Sequence, residues 1–187
     1  MKVKPLIATF PYLILFVILV VSVNGSVCDN LNYQALPISC ETPKVILQPG
    51  TAGTSTIYTN NTSAKVSVTA PVLTPTYYPN VLKVVNEVTE AWNISLRVYD
   101  SSNIDRLSNA TISFHDGSSS DQIIVNNGNI TQSEGALYNL PGSATIYISI
   151  SNLQANTTDI SYLYVYLKIQ APNTWAYDLF IIVFEIT

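Results

Sequence analysis

Thr145-Ile146-Tyr147-Ile148-Ser149-Ile150 alternates polar or amphipathic residues with isoleucine at every second position. A period of two is that of a pleated strand with one face buried, whereas an amphipathic helix would repeat every 3.6 residues. The pattern extends in both directions. Lys65-Val66-Ser67-Val68-Thr69 alternates in the same way, and 163–169 is rich in Tyr, Val and Ile, which suit half-buried pleated positions. Further strands are expected at 44–48, 54–59, 81–86, 92–99, 110–115, 121–126, 135–140 and 176–186. Asn126-Asn127-Gly128 reads as a tight hairpin turn and Pro172-Asn173-Thr174 as the turn between the last two strands. The stretch from Val81 to Trp92 is the best helix candidate, with apolar residues at 81, 82, 84, 85, 88 and 91. Valine is stiff at χ1 and a poor helix former, so a strand is expected there too. About eight to ten strands joined by short turns predict an all-β, immunoglobulin-like or pilin-like β-sandwich. Its outer faces should carry Ser, Thr and Asn, with Ile, Val, Leu and Tyr inside.

The last of these strands holds Leu179-Phe180-Ile181-Ile182-Val183-Phe184, an unbroken apolar run. It is too short to cross a bilayer as a helix and reads as a central strand buried on both faces. Such a strand needs a neighbour on each edge, which raises the question of where the second one comes from.

Composition narrows the function. The chain of 187 residues is 48% hydrophobic and only 11% charged, less than half the usual charged fraction of about 25%. Ser, Thr, Asn and Gln fill the gap and make up close to a third of it. A formal charge of −4 argues against nucleic acid as a partner, because phosphate binding needs clustered Lys and Arg. One His and 2 Cys are too few for a zinc or iron–sulfur centre, and no metal or other cofactor is expected. Hydroxyls and amides hardly titrate, so little stability should be lost between about pH 7 and pH 3. That fits an acidic exterior.

The N-terminus gives an address. Lys2 and Lys4 precede the apolar stretch from Leu6 to Val23, and Asn24-Gly25-Ser26 offers a small residue for cleavage. Residues 1–25 are therefore read as a secretory signal peptide. The competing reading is an uncleaved anchor, since the stretch would span about 27 Å as a helix. In either case the membrane is involved only through this segment. Six Asn-X-Ser/Thr acceptors follow, at Asn60, Asn61, Asn93, Asn109, Asn129 and Asn156. On an exported chain they predict covalent N-glycans on the surface, with Asn60 and Asn61 too close for both to be used.

Catalytic chemistry is not expected. His115-Asp116-Gly117-Ser118-Ser119-Ser120-Asp121 gathers an imidazole, hydroxyls and carboxylates, but a triad draws its members from separate elements, and these share one polar turn. Asp100-Ser101-Ser102-Asn103-Ile104-Asp105 reads as a similar loop, and the spacing of neither matches a calcium loop. Glu87 and Glu90 are the closest glutamate pair and read as a solvated face. There is no phosphate-binding glycine loop, no His-Glu-X-X-His and no Cys-X-X-Cys.

Residues 26–43 form an N-terminal extension ahead of a domain covering 44–187. Within it Leu31, Tyr33 and Ala35 alternate with Asn30, Asn32 and Gln34, the pattern of a half-buried strand. Such a segment can pair with its own domain or with a neighbour's sheet edge. Cys28 and Cys40 flank it. A disulfide within the chain is the default for a lone exported pair and would stabilise by roughly 3 kcal/mol. It would also forbid an extended strand, because a bridge holds its Cα atoms about 4.4–6.8 Å apart while twelve extended steps cover about 40 Å. In a head-to-tail filament, Cys28 of one subunit could instead meet Cys40 of the next. Both pairings stay open.

In layout the chain resembles the archaeal thread and bundling-pilus subunits. The matching features are the cleavable leader (1–25), the alternating segment (28–36), the all-β domain and the dispersed sequons. The cysteine pair lies outside the family pattern. The resemblance implies a glycosylated β-sandwich pilin joined to copies of itself by donor-strand complementation in an extracellular filament, for adhesion or biofilm cohesion. It implies Leu31, Tyr33 and Ala35 as donor residues, and Leu179, Ile181 and Val183 as the wall of the acceptor groove. The alternative is a monomeric secreted or S-layer-associated surface-binding module.

Overall fold

A computed structural model describes residues 44–58, 61–114, 122–173 and 177–187. The leader and extension (1–43, with Leu31, Tyr33, Ala35, Cys28 and Cys40), the acceptor Asn60 and the His115–Asp121 loop lie outside the described residues.

Twelve strands are described, more than the eight to ten expected, and none of the described residues is in an α-helix. They are β1 (Val45–Pro49), β2 (Thr54–Ile57), β3 (Ser63–Val68), β4 (Thr76–Asn86), β5 (Trp92–Ser102), β6 (Leu107–Phe114), β7 (Gln122–Asn126), β8 (Asn129–Gln132), β9 (Tyr138–Leu140), β10 (Thr145–Ala155), β11 (Ser161–Gln170) and β12 (Tyr177–Ile186). Sheet I has the order β1-β4-β10-β6-β7-β8 and sheet II the order β2-β3-β12-β11-β5-β9. The two sheets face each other as the predicted sandwich.

Inward positions come from the two-residue period. Sheet I contributes Leu82, Val84, Ile112, Phe114, Ile146, Ile148 and Ile150, and sheet II contributes Val66, Leu163, Val165, Leu167, Ile182 and Phe184, all buried. Burying aliphatic and aromatic side chains stabilises by roughly 1.5–3 kcal/mol each relative to exposure, which makes this core the main source of stability.

Local chemistry sets the turns. The segment from Val81 onward is a strand, not a helix, and stops at Asn86, which is buried. Its amide donates to the carbonyls of Glu90 (2.7 Å) and Pro141 (2.9 Å) while its oxygen accepts from the Val88 N–H at 3.2 Å. One side chain thereby ties the β4–β5 turn to the loop before β10. Pro79 lacks an N–H, and it lies beyond the stretch of β4 that pairs with β1, which ends at Leu82. In the β7–β8 hairpin Asn126 faces Asn129, leaving Asn127 (φ 47°) and Gly128 (φ 71°) as a two-residue loop. Positive φ at both positions is the turn that matches strand twist. A Cβ on Gly128 would also lie 2.8 Å from the Asp105 Cα. The expected loop at 100–105 is shorter than predicted, because β5 runs to Ser102 and Ile104–Arg106 form a 3₁₀ turn.

Two expectations are corrected. β12 is not buried on both faces: Phe180, Ile182, Phe184 and Ile186 are buried, while Leu179, Ile181 and Val183 point outward and stay partly open. Its second neighbour is β3 of the same chain, running parallel from Ile181↔Ser63 to Ile186↔Val68, with β11 antiparallel on the other edge. The run is unbroken because its outward residues are shielded sideways by tyrosines on β11, with Tyr164 beside Val183 and Tyr166 beside Ile181. Those tyrosines are the second correction. They were expected inside, yet β11 buries Leu163, Val165, Leu167 and Ile169 and turns Tyr162, Tyr164 and Tyr166 outward.

Candidate functional site

The outer face of sheet II is where side chains other than Ser, Thr and Asn gather. On β11 the outward residues are Tyr162, Tyr164, Tyr166 and Lys168, and on β12 they are Leu179, Ile181, Val183 and Glu185. β5 adds Arg97 and Tyr99. Tyr99 gets there through a bulge: Val165 pairs with Val98 and Tyr164 with Asp100, so β5 carries one extra residue between them. The Tyr99 ring stacks on Tyr166, with centroids 4.0 Å apart and planes 18° apart, and meets Tyr164 at 6.0 Å. Tyr162 and Tyr164 continue the row at 6.3 Å. Stacked rings in offset contact stabilise one another beyond the area they bury.

The two ends of this face differ. Near the end of β12, Glu185 lies among Lys65, Ser67 and Tyr162. Lys65 Nζ is 2.7 Å from Glu185 Oε2, and Ser67 Oγ donates to Oε1 at 3.1 Å. The Lys65 hydrogen bond is the largest cause of a Glu185 carboxyl held below its ordinary value; Ser67 and Tyr162 add to it and burial opposes it. The same bonds to Glu185 raise Lys65 and Tyr162. At the start of β12 the face opens into a pocket of about 370 Å³ lined by Arg97, Tyr99, Glu134, Tyr166, Lys168 and Tyr177 among others. Lys168 Nζ sits 4.8 Å from the Tyr177 ring centroid, a cation–π contact. Arg97 Nε approaches Glu134 Oε2 only to 3.9 Å, beyond hydrogen-bond distance, so both groups keep capacity toward solvent. Burial, followed by the neighbouring Tyr166, Tyr164 and Asp100, raises the Tyr99 hydroxyl above its ordinary value.

Leu179, Ile181 and Val183 therefore share a surface, not a groove between sheets, and the edge they were expected to offer is occupied by β3 over 181–186. The acceptor residues are scattered. Asn61, Asn129 and Asn156 are exposed, in the β2–β3 connection, on β8 and after β10, whereas Asn93 on β5 and Asn109 on β6 are half-buried. Glu87 and Glu90 lie exposed in the β4–β5 turn. Sequence reasoning missed the tyrosine face, although one signal was present. Tyr162, Tyr164 and Tyr166 share the parity of Lys168 and Gln170, two residues that seldom go inside.

No family model matches the sequence, and neither does any curated protein. Among solved structures the chain is similar to the N-terminal domain of PorA, at 11% identity and a TM-score of 0.47, covering 76% of this chain and 95% of that one. It is also similar to an ASH/PapD-like domain of human CEP192, at 11% identity and a TM-score of 0.41, over 85% and 96% of the two chains. A third is the CooA pilin subunit of enterotoxigenic Escherichia coli, at 12% identity and a TM-score of 0.38, over 78% and 98%. Likeness at this level leaves the function to be argued from the chain's own residues.

Proposed function

We propose that the chain is a structural, non-enzymatic subunit of an extracellular cell-surface filament, assembled head to tail by donor-strand complementation and serving adhesion or biofilm cohesion. The observation that carries this reading is a sandwich whose edge strands have one partner each among the described residues, preceded in the chain by a segment with a strand's alternation. Both sheets end in short edge strands, β1 and β8 in one and β2 and β9 in the other. The alternating segment with Leu31, Tyr33 and Ala35 precedes the sandwich in the chain. Open edges are what an added strand pairs with. The occupied edge of β12 moves the acceptor from the run at Leu179, Ile181 and Val183 to an edge strand. Direction supports a linear polymer. The described sandwich begins at Lys44 beside Glu87, whereas Thr187 lies at the opposite end beside Val68 and Ala70.

In this reading residues 1–25 direct export, N-glycans occupy some of Asn60, Asn61, Asn93, Asn109, Asn129 and Asn156, with only one of Asn60 and Asn61 used, and Cys28 and Cys40 join either within one chain or across a subunit junction. The test is to purify the secreted chain and a variant lacking 26–40, and to compare them by electron microscopy and size exclusion. Filaments from the full chain and a folded monomer from the variant are expected. A full chain that stays monomeric, or a variant that polymerises equally well, overturns the proposal. Non-reducing electrophoresis of the filaments separates the two disulfide arrangements, since a ladder that collapses under reductant requires the interchain bond.

A further inference from the structure

The pocket at the start of β12 lies on the outer face of sheet II. Its walls are aromatic and its rim is charged. Tyr99 and Tyr166 form a stacked pair on the β5 and β11 side, and Tyr177 stands on the β12 side with Lys168 above its ring. Tyr99 is 42% exposed and Tyr177 54%, so ring area is offered to solvent and not used up in the core. Arg97 and Glu134 face each other across 3.9 Å without a hydrogen bond.

We propose that this pocket binds carbohydrate, specifically pyranose units that carry carboxylates. The C–H-rich face of a pyranose ring is weakly positive and apolar, and it packs on the negative face of an aromatic ring. Sugar hydroxyls both donate and accept, which the mixed rim of guanidinium, ammonium, carboxylate and phenol groups can match in each direction. A purely apolar ligand would strip water from Arg97, Lys168 and Glu134 without replacing their hydrogen bonds, at a cost. A nucleic acid would need more cations than these two. The acidic class follows from the local balance, because Arg97 and Lys168 outnumber Glu134 on a chain whose formal charge is −4. Guanidinium is the group best shaped for a carboxylate held in two-point contact. Two sources would present the same chemistry: an acidic sugar on a neighbouring copy's own N-glycan, or a polysaccharide from the surroundings.

Isothermal titration of the full chain with hexagalacturonate, hexamannuronate and neutral maltohexaose tests this. An acidic hexasaccharide should bind at about millimolar strength and at least about tenfold more tightly than maltohexaose. Tyr99→Ala and Tyr177→Ala should each weaken it by about tenfold, and Arg97→Gln should reduce the preference for acid over neutral sugar. Thermal melting of each variant checks that the sandwich is intact. Repeating the titration on enzymatically deglycosylated chain separates the sources. Tighter uptake after deglycosylation marks the chain's own glycans as the ligand, and unchanged uptake marks an external polysaccharide. Failure of every hexasaccharide to bind, equal binding of maltohexaose, or binding indifferent to Tyr99→Ala overturns the proposal.

Discussion

The two sheets bury the same kind of residue and show the solvent different ones. Across the central pair of sheet I, Ser151 on β10 sits beside Thr111 on β6, and Gln154 beside Asn109. Across the central pair of sheet II, Tyr164 on β11 sits beside Val183 on β12, and Tyr166 beside Ile181. Core packing therefore does not distinguish the sheets; the parity facing water does. A hydroxyl face costs little to leave in water, whereas a broad aromatic and aliphatic face is costlier to leave there. Along these central pairs, sheet II turns aromatic and aliphatic side chains outward where sheet I turns hydroxyls and amides.

The first way to break the comparison is to attack what the sheets share. Ile148 on β10 and Phe184 on β12 both point inward and are fully buried. Ile148→Ala should cost about 2–5 kcal/mol and Phe184→Ala about 3–5 kcal/mol, since each removes apolar contact and leaves a cavity. Urea denaturation of the full chain reads both. A cost near zero on either side would mean that only one sheet belongs to the core.

The outward positions should then separate the faces. Val183→Ser removes a half-buried aliphatic side chain packed beside Tyr164, and roughly 1 kcal/mol should be lost. Thr111→Ser on the back of sheet I should stay within about 0.5 kcal/mol of wild type. Equal costs in denaturant would erase the distinction drawn between the faces.

How much of this was legible in the sequence depends on contrast. Where isoleucine alternates with serine, as in β10, both the strand and its inward face follow directly. β7 and β8 follow as readily, because Asn127-Gly128 accepts two positive φ angles. In β11 every position from Tyr162 to Leu167 is hydrophobic or aromatic, so hydropathy gives the strand but not its facing. Only the parity of Lys168 and Gln170 marks the tyrosines as outward. β12 misled for the same reason. A strand with one face in the core and the other under tyrosines reads like one buried on both sides, and its parallel partner β3 is more than a hundred residues away in sequence. Tyr99 was beyond reach, since the bulge that aims it depends on the register with β11, which no local pattern contains. The pocket, assembled from β5, β11, β12 and Glu134, shares that fate.

Buried polar atoms give a further test of sheet I. Ser149 is buried on β10, and its hydroxyl has no hydrogen-bond partner among the described residues. An unsatisfied buried hydroxyl is a cost in the folded state, so Ser149→Ala should be neutral or should stabilise by up to about 1 kcal/mol. A clear loss of stability in the same urea assay would show that the hydroxyl has a partner.

The smallest expected effect is the response to pH, and it should come from one sheet. The outward residues of β6 and β10 named above carry no carboxylate, whereas sheet II holds Glu185 with Lys65, Ser67 and Tyr162. Glu185 titrates below its ordinary value of 4.5, so its contribution is present above that value and is lost as pH falls through the lower folded one. Lys65 and Tyr162 are raised above 10.5 and 10.0, so their contributions are full below those values and fade as pH rises through the folded ones. The cluster is thus intact from about pH 4.5 to about pH 10, so the flat range expected from composition to reach about pH 3 is cut short, and an acid limb should begin below 4.5. Glu185→Gln should lower the urea midpoint at pH 7 and flatten that acid limb, because the group that titrates there is gone. If the wild-type midpoint instead falls steeply from about pH 6, or if Glu185→Gln leaves the acid limb unchanged, the sensitivity lies elsewhere and this contrast between the sheets fails.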